Sequence, residues 1–119
     1  MVAHMRQTRS IGDNSGRKPV VFAIAFDLDT NVLKESYHNE SWQNAYSDVK
    51  RALEGYGFER MQGSVYFGGD RVDAVTCVLA VQQLTADFDW FAPAVRDIRM
   101  LRIEDNNDLM PAVERAIRK

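Results

Sequence analysis

Two aspartates, Asp27 and Asp29, follow an apolar run in the stretch "VVFAIAFDLDTNVL", which covers residues 20–33. Phosphotransferases with an aspartate nucleophile also begin with an apolar strand that runs into Asp-x-Asp. Side chains alternate along a strand, so the two acids share a face if the strand extends that far. The doublet therefore has three interpretations: a phosphatase nucleophile with its acid, a metal site of another kind, or the polar end of a strand.

The phosphatase interpretation needs more chain than this sequence offers. It requires a larger doubly wound sheet, a distant lysine and a second acidic cluster, whereas 119 residues with a predicted hairpin in the middle suit a smaller sheet. Asp29 precedes Thr30 and Asn31, a pattern typical of a strand end that enters a turn. Asp27 lies in a run that is otherwise apolar, where burial would demand a partner or a metal. Asp27 is the better functional candidate.

A second candidate group lies in the stretch "RMQGSVYFGG". Ser64 has no G-x-S-x-G surroundings, and the only histidines are His4 and His38, so a serine hydrolase triad is not favoured. We interpret Ser64 as a hydroxyl at a hairpin that either donates to a phosphate or bonds the backbone. Gln62 shares its face if the strands are regular, which makes Gln62 a candidate substrate contact.

A third group lies in "VRDIRMLRIE", where Asp97 and Arg99 alternate onto one face of a predicted strand. A structural ion pair is one interpretation of these charges. The functional alternative places Arg99 against a phosphate, because a planar guanidinium binds two oxygens at once. Asp97 then becomes a second acid close to Asp27.

The elements that must position these residues follow from periodicity. Apolar runs and alternation predict strands at residues 20–28, around the hairpin at Gly63, and at 95–104, while three- and four-residue spacing predicts two helices between them. The first helix is capped by Asn39 or Ser41, and the second by Asp70 with Asp73 in its first turn. The order is β-α-β-β-α-β, an α+β ferredoxin-like sandwich.

The buried faces of the second helix and of an added C-terminal helix are also predicted by spacing. Val72, Val75, Val78, Leu79 and Leu84 form the first, and Leu109, Val113 and Ile117 form the second. Trp90 and Phe91 are predicted to enter the core from a turn.

Composition indicates one soluble domain at residues 19–119 after a flexible leader at 1–18. The dipeptide His4–Met5 leaves open whether part of the leader is a vector remnant. The leader has a charge of +3 and the rest −5, so the domain has no broad basic surface for nucleic acid. No apolar run suits a membrane span, and the single Cys77, predicted to be buried on a helix, favours a reduced, cytoplasmic setting.

The sequence resembles the virulence-associated protein D (VapD) family from about residue 20 onward. The similarity lies in "FAIAFDLDTNVLKESYHNESWQNAYSDVKRALEGYGFERMQGSVYF" and "WFAPAVRDIRMLRIEDNNDL", with "GFERMQGSVYF" and "AVRDIR" the most specific parts. It implies a small ferredoxin-like endoribonuclease that acts as a homodimer, in some bacteria as the toxin of a toxin–antitoxin pair. VapD proteins are similar to the dimeric nuclease of CRISPR adaptation, whose strand-end aspartate lies at a dimer cleft where metal can bind.

The resemblance assigns catalytic roles to Asp27, Ser64 and Asp97, with Asp27 also a metal ligand. Arg99 and Gln62 are the expected substrate contacts, Mg²⁺ is a candidate cofactor that is not certain to be required, and RNA and an antitoxin protein are the expected partners. Two aspartates held close across a dimer need a shared proton or a cation. The alternative is a non-catalytic dimeric module that binds nucleic acid or a protein partner.

Overall fold

The computed structural model describes residues 20–117, so the predicted leader at 1–18 lies outside the described residues. The strands are β1 (Val21–Leu28), β2 (Phe58–Gln62), β3 (Val65–Gly68) and β4 (Val95–Ile103). The helices are α1 (Thr30–Ser36), α2 (Asn44–Gly55), α3 (Ala74–Asp87), α4 (Phe91–Ala94) and α5 (Met110–Ala116). The four strands form one antiparallel sheet in the order β2-β3-β1-β4. The prediction of a ferredoxin-like βαββαβ sandwich with an added C-terminal helix is confirmed.

The central strand β1 separates a large-residue face from a small-residue face. Ile24, Phe26 and Leu28 are buried in the core cluster, where side chains of the helices pack against them. Ala25 and Asp27 point to the opposite face, because side chains alternate along a strand. The predicted division of this strand is confirmed, and it leaves Asp27 on the face away from the core.

The segment after β1 is a helix, which the sequence analysis interpreted as a turn. Asp29 is the N-cap of α1, and its Oδ1 accepts hydrogen bonds from the backbone N–H groups of Asn31 (3.0 Å) and Val32 (3.1 Å). Leu33 anchors the helix in the core with no exposed surface. Asp29 therefore has a structural role at the strand end, which agrees with its interpretation as a strand-end residue.

The prediction for the second long helix is wrong in its cap and in most of its buried face. Asp73, not Asp70, is the N-cap of α3, with a reciprocal capping box to Thr76. The buried residues of the helix are Cys77, Ala80 and Leu84, whereas Val75, Val78 and Leu79 are 63%, 51% and 51% exposed. The small side chains at 77 and 80 let the helix backbone lie close to the sheet, so the larger residues face outward. The predicted burial of Cys77 is confirmed.

The C-terminal helix forms, but its predicted inward face is wrong. Leu109, Val113 and Ile117 are 71%, 52% and 58% exposed, and α5 has no buried residue. Residues 104–109 form no helix or strand, so the chain leaves the end of β4 before the helix begins. Amphipathic spacing alone does not provide a surface on which to pack. No helix among residues 20–117 is both long and apolar enough to cross a membrane.

The hairpin and the approach to α3 each depend on a glycine. Gly63 has a φ of 51° in the turn between β2 and β3, a conformation that side chains rarely adopt. A Cβ on Gly68 would lie 2.5 Å from Cβ and Cγ1 of Val72, so β3 and the residues before α3 are in close contact there. The predicted hairpin is confirmed, with a bulge between Arg60 and Gln62.

Candidate active site

Asp27 and Asp97 face each other across the β1–β4 ladder. They are register partners at the end of β1, next to an irregularity between Asp27 and Leu28. Their side chains are 58% and 51% exposed, so solvent or a ligand can reach both carboxylates. Antiparallel partners project to the same face of a sheet, so the two predicted acids form one pair of carboxylates at the strand end.

Arg96 neutralises this strand end from the side of β4. Its Nε and Nη2 donate to Oδ2 of Asp27 at 3.3 and 3.1 Å, and its Nη1 lies 3.8 Å from Oδ2 of Asp29. Arg96 is not among the site residues predicted from the sequence. The irregular ladder beside Leu28 is specific to the folded chain and left no signal in the sequence for this pairing.

Arg99 holds the second carboxylate. Its Nε donates to Oδ1 and Oδ2 of Asp97 at 3.0 and 3.1 Å, and this contact raises the pKa of the Arg99 guanidinium above its ordinary value. The pair is more than half exposed, so it contributes little to stability. The structural ion pair that the sequence analysis weighed is therefore present, and the exposed guanidinium retains donors for a phosphate.

Gln62 and Arg99 belong to one row of residues across the sheet. Gln62 is the register partner of Val65, Val65 of Ala25, and Ala25 of Arg99. The row is two residues along β1 from Asp27, on the same face. Four predicted site residues, Gln62, Arg99, Asp27 and Asp97, thus share one face at one end of the sheet.

Ser64 lies in the hairpin turn, next to this row. Its backbone carbonyl accepts a hydrogen bond of 3.1 Å from the backbone N–H of Phe26, which connects the turn to the residue before Asp27. Ser64 also lines a cavity on the helix side of the sheet, together with Phe26, Tyr46, Ser47, Lys50, Arg60, Gly63 and Tyr66. It therefore lies at the boundary between that cavity and the face that carries the acids.

One copy of the chain has carboxylates of a type that binds metal ions, but too few of them lie together. Carboxylate oxygens are the ligands that Mg²⁺ prefers. Within residues 20–117, no group of three or more His, Cys, Asp or Glu side chains is placed to hold a metal ion. Asp27 and Asp97 are also each paired with an arginine. The site in a single copy of the chain therefore lacks the ligands to hold Mg²⁺.

The same region of the chain matches known proteins. The family model described as CRISPR associated protein Cas2 matches residues 20–110, a range that contains every candidate site residue. The Endoribonuclease VapD 2 of Riemerella anatipestifer is 52% identical over 93 residues, which are 78% of this chain and 99% of that protein. The chain belongs to the VapD family.

Two further VapD proteins are similar to this chain over almost their whole length. An Endoribonuclease VapD homolog of Helicobacter pylori is 51% identical over 94 residues, covering 79% of this chain and 97% of its own. The Endoribonuclease VapD of Dichelobacter nodosus is 40% identical over 96 residues, covering 81% and 100%. These matches confirm the resemblance to VapD. The roles of the individual site residues stay predictions.

Proposed function

We propose that this chain is an endoribonuclease whose reaction takes place at the strand end around Asp27. The observation that carries the proposal is the exposed pair of Asp27 and Asp97 on one face of the sheet, in a chain whose VapD relatives are named endoribonucleases. Two arginines lie beside the acids, so the site offers both carboxylates and donors for phosphate oxygens.

RNA cleavage requires a group that takes a proton from the attacking oxygen and groups that balance the charge that develops on the phosphate. We assign the proton acceptor to Asp27, because its carboxylate is exposed and pairs with a single side chain, Arg96, among residues 20–117. Arg99 on β4 and Gln62 on β2, the two edge strands of the sheet, are assigned to the RNA strand, and Ser64 to a phosphate oxygen at the turn. Asp97 keeps Arg99 in position.

The proposal includes a homodimer that joins two copies through the small-residue face of the sheet. Apolar side chains stand on this face beside the acids: Ala25 and Val65 in the row next to Asp27, and Leu101, which is 42% exposed, one row further along. Burial of such a face against its copy would be favourable and would bring the two Asp27 strand ends toward each other. Light scattering tests this point: we expect twice the 13.6 kDa of one chain.

Mg²⁺ belongs to the proposal only together with the dimer. Two copies would supply twice the carboxylates of one chain, which would meet the shortage of donors in a single copy. When bound, the ion would supply positive charge that stabilises phosphate oxygens. Cleavage in Mg²⁺, compared with cleavage in EDTA, tests whether the ion is required.

A role as the toxin of a toxin–antitoxin pair, in the cytoplasm, completes the proposal. It rests on the resemblance to VapD. Co-expression with the product of a neighbouring gene is the direct test, since an antitoxin would relieve growth arrest caused by this chain.

The decisive experiment is cleavage of labelled RNA by the wild type, Asp27→Ala and a control, Glu104→Gln. Glu104 follows β4 at the opposite end of the sheet, where its carboxylate pairs with Arg102. We expect cleavage by the wild type and the control but not by Asp27→Ala, with circular dichroism showing all three folded. Equal cleavage by all three proteins would indicate a contaminating nuclease or a different site.

The non-catalytic alternative is favoured by one observation, the excess of acidic residues. Residues 20–117 carry 16 Asp and Glu against nine Lys and Arg, which disfavours broad RNA binding. A dimer that binds a basic protein partner would suit that charge. Absence of cleavage across metals and pH, together with tight binding of a protein, would favour this alternative.

A further inference from the structure

A cavity of about 330 Å³ lies between α2 and the β2–β3 hairpin, on the helix side of the sheet. Tyr46 and Lys50 of α2, Arg60 of β2 and Ser64 of the turn line it. Phe26 is part of the same wall, and Asp27 follows it in β1. The cavity is therefore adjacent to the strand end that carries the candidate active site, but none of its contacts is used in the proposed cleavage apart from Ser64.

The charge of this cavity is opposite to that of the chain around it. Its lining contains Lys50 and Arg60 and no acidic residue, although acids outnumber bases in residues 20–117. Lys50 pairs with Glu54 at 3.0 Å, but both side chains are about half exposed, so the pair is weak and easily exchanged. Arg60 donates its Nε to the carbonyl of Gly63 at 2.9 Å, which uses one of five guanidinium donors. Both cations can bind an anion.

Two tyrosines give the cavity aromatic walls. Tyr66 is 2% exposed and stacks on Phe26 with ring centroids 6.0 Å apart, so it is a fixed part of the core. Tyr46 is partly buried at the cavity, where burial and then the nearby Asp27 carboxylate raise the pKa of its hydroxyl. Aromatic rings beside cations are the combination that binds single-stranded nucleic acid.

We infer that this cavity binds one nucleotide of the RNA strand, next to the phosphodiester at Asp27. Lys50 and Arg60 contact its phosphate, and Tyr46 contacts its base. The volume is at the lower end of the range for small-ligand sites, which suits a single nucleotide rather than a longer segment. The inference rests on the proposed function, because it adds a second contact to the same substrate. It also explains how an acidic chain binds RNA without a broad basic surface.

The test measures binding of a fluorescently labelled single-stranded RNA by anisotropy, in an Asp27→Asn background that keeps the RNA intact. Lys50→Gln/Arg60→Gln is compared with Arg71→Gln/Arg115→Gln, which removes two charges outside the cavity. The loss of two phosphate contacts should reduce the slope of log K against log salt by about 1.4, since each contact contributes about 0.7 on single strands. We expect affinity to fall about tenfold or more in the cavity variant, and much less in the control.

A second pair of variants tests the aromatic contact. Tyr46→Ala should weaken RNA binding by about fivefold or more, because a stacked base is lost, whereas Tyr46→Phe should bind like the parent. In proteins with Asp27 intact, Lys50→Gln/Arg60→Gln should raise KM more than it lowers kcat. Thermal melts by circular dichroism confirm that each variant is folded.

The outcomes separate this inference from the proposed function. If the cavity variant and the control bind RNA with the same affinity and salt slope, the nucleotide site is refuted, whereas RNA cleavage that depends on Asp27 still stands. If RNA binding depends on Lys50 and Arg60 but the wild type cleaves no RNA, the cavity is a nucleotide site and the proposed cleavage is refuted.

Discussion

The two acids of the Asp-x-Asp doublet should respond in opposite ways to substitution. Asp29 accepts two backbone hydrogen bonds, of 3.0 and 3.1 Å, at the start of α1, and its side chain is 30% exposed. Among residues 20–117, the Asp27 side chain accepts no backbone hydrogen bond and forms a solvent-exposed ion pair with Arg96. We therefore expect Asp29→Ala to reduce stability and spare cleavage, and Asp27→Asn to abolish cleavage and spare stability.

The magnitudes follow from these contacts. Loss of an N-cap costs about 1 kcal/mol, which lowers Tm by about 4–8 °C in a domain of this size. Asp29→Asn should retain Tm, because asparagine caps helices as well as aspartate does. The exposed pair of Asp27 with Arg96 contributes about 0.5 kcal/mol, the middle of the range for exposed ion pairs, so Asp27→Asn should lower Tm by about 2–4 °C, half as much as Asp29→Ala. Loss of a general base should reduce cleavage by about 100-fold or more.

The assay combines thermal melts with initial rates of RNA cleavage at 25 °C. A typical domain is stable by about 5 kcal/mol or more, so Asp29→Ala stays almost fully folded at that temperature and its rate should be close to the wild type. Loss of cleavage in Asp29→Asn together with retained cleavage in Asp27→Asn would refute the assignment of Asp27 as the proton acceptor. That result would restore the second acid of the doublet to the chemistry.

Three further outcomes concern stability. The Tyr37 hydroxyl donates to Oδ2 of Asp48 at 2.8 Å. Burial first, and then this carboxylate, raise the pKa of Tyr37 above its ordinary value of 10. The contribution of Tyr37 to the free energy of unfolding is therefore complete below pH 10, and it is lost as pH rises through the raised pKa. Urea midpoints between pH 9 and 11 should fall more steeply for the wild type than for Tyr37→Phe. Gly68→Ala should cost about 1–3 kcal/mol in urea unfolding, because its Cβ meets Val72 at 2.5 Å. Gly55→Ala, with no atom within 4 Å of its Cβ, should be neutral or slightly stabilising.

Strand patterns in this sequence predicted the sheet well. The alternation from Val21 to Leu28 identified the core face and placed Asp27 on the other face, because a period of two leaves no choice once one side is buried. The alternation of Asp97 and Arg99 was equally decisive, and both residues lie on the face of Asp27. Three of the five predicted site residues, Asp27, Asp97 and Arg99, came together for this reason, whereas Gln62 reaches the same face after a bulge in β2.

Helix patterns were less informative, since several faces of a helix can be apolar. In α3, the residues at 75, 78 and 79 are larger than those at 77 and 80, so hydrophobicity alone selected the wrong side. The contact between Arg96 and Asp27 depends on an irregular register at the end of β1, which no single-strand pattern encodes. Neither miss changes the fold, but the second determines the electrostatics of the site.

The guanidinium of Arg96 has a consequence for the order of events when RNA binds. It spans two carboxylates, at 3.1 Å from Asp27 and 3.8 Å from Asp29, and is 59% exposed. A phosphate that binds this guanidinium competes with both acids for its positive charge. A phosphate that takes up this guanidinium would leave Asp27 without its ion-pair partner beside the substrate. On the proposal that Asp27 accepts the proton, the substrate itself would release this acid from its ion pair.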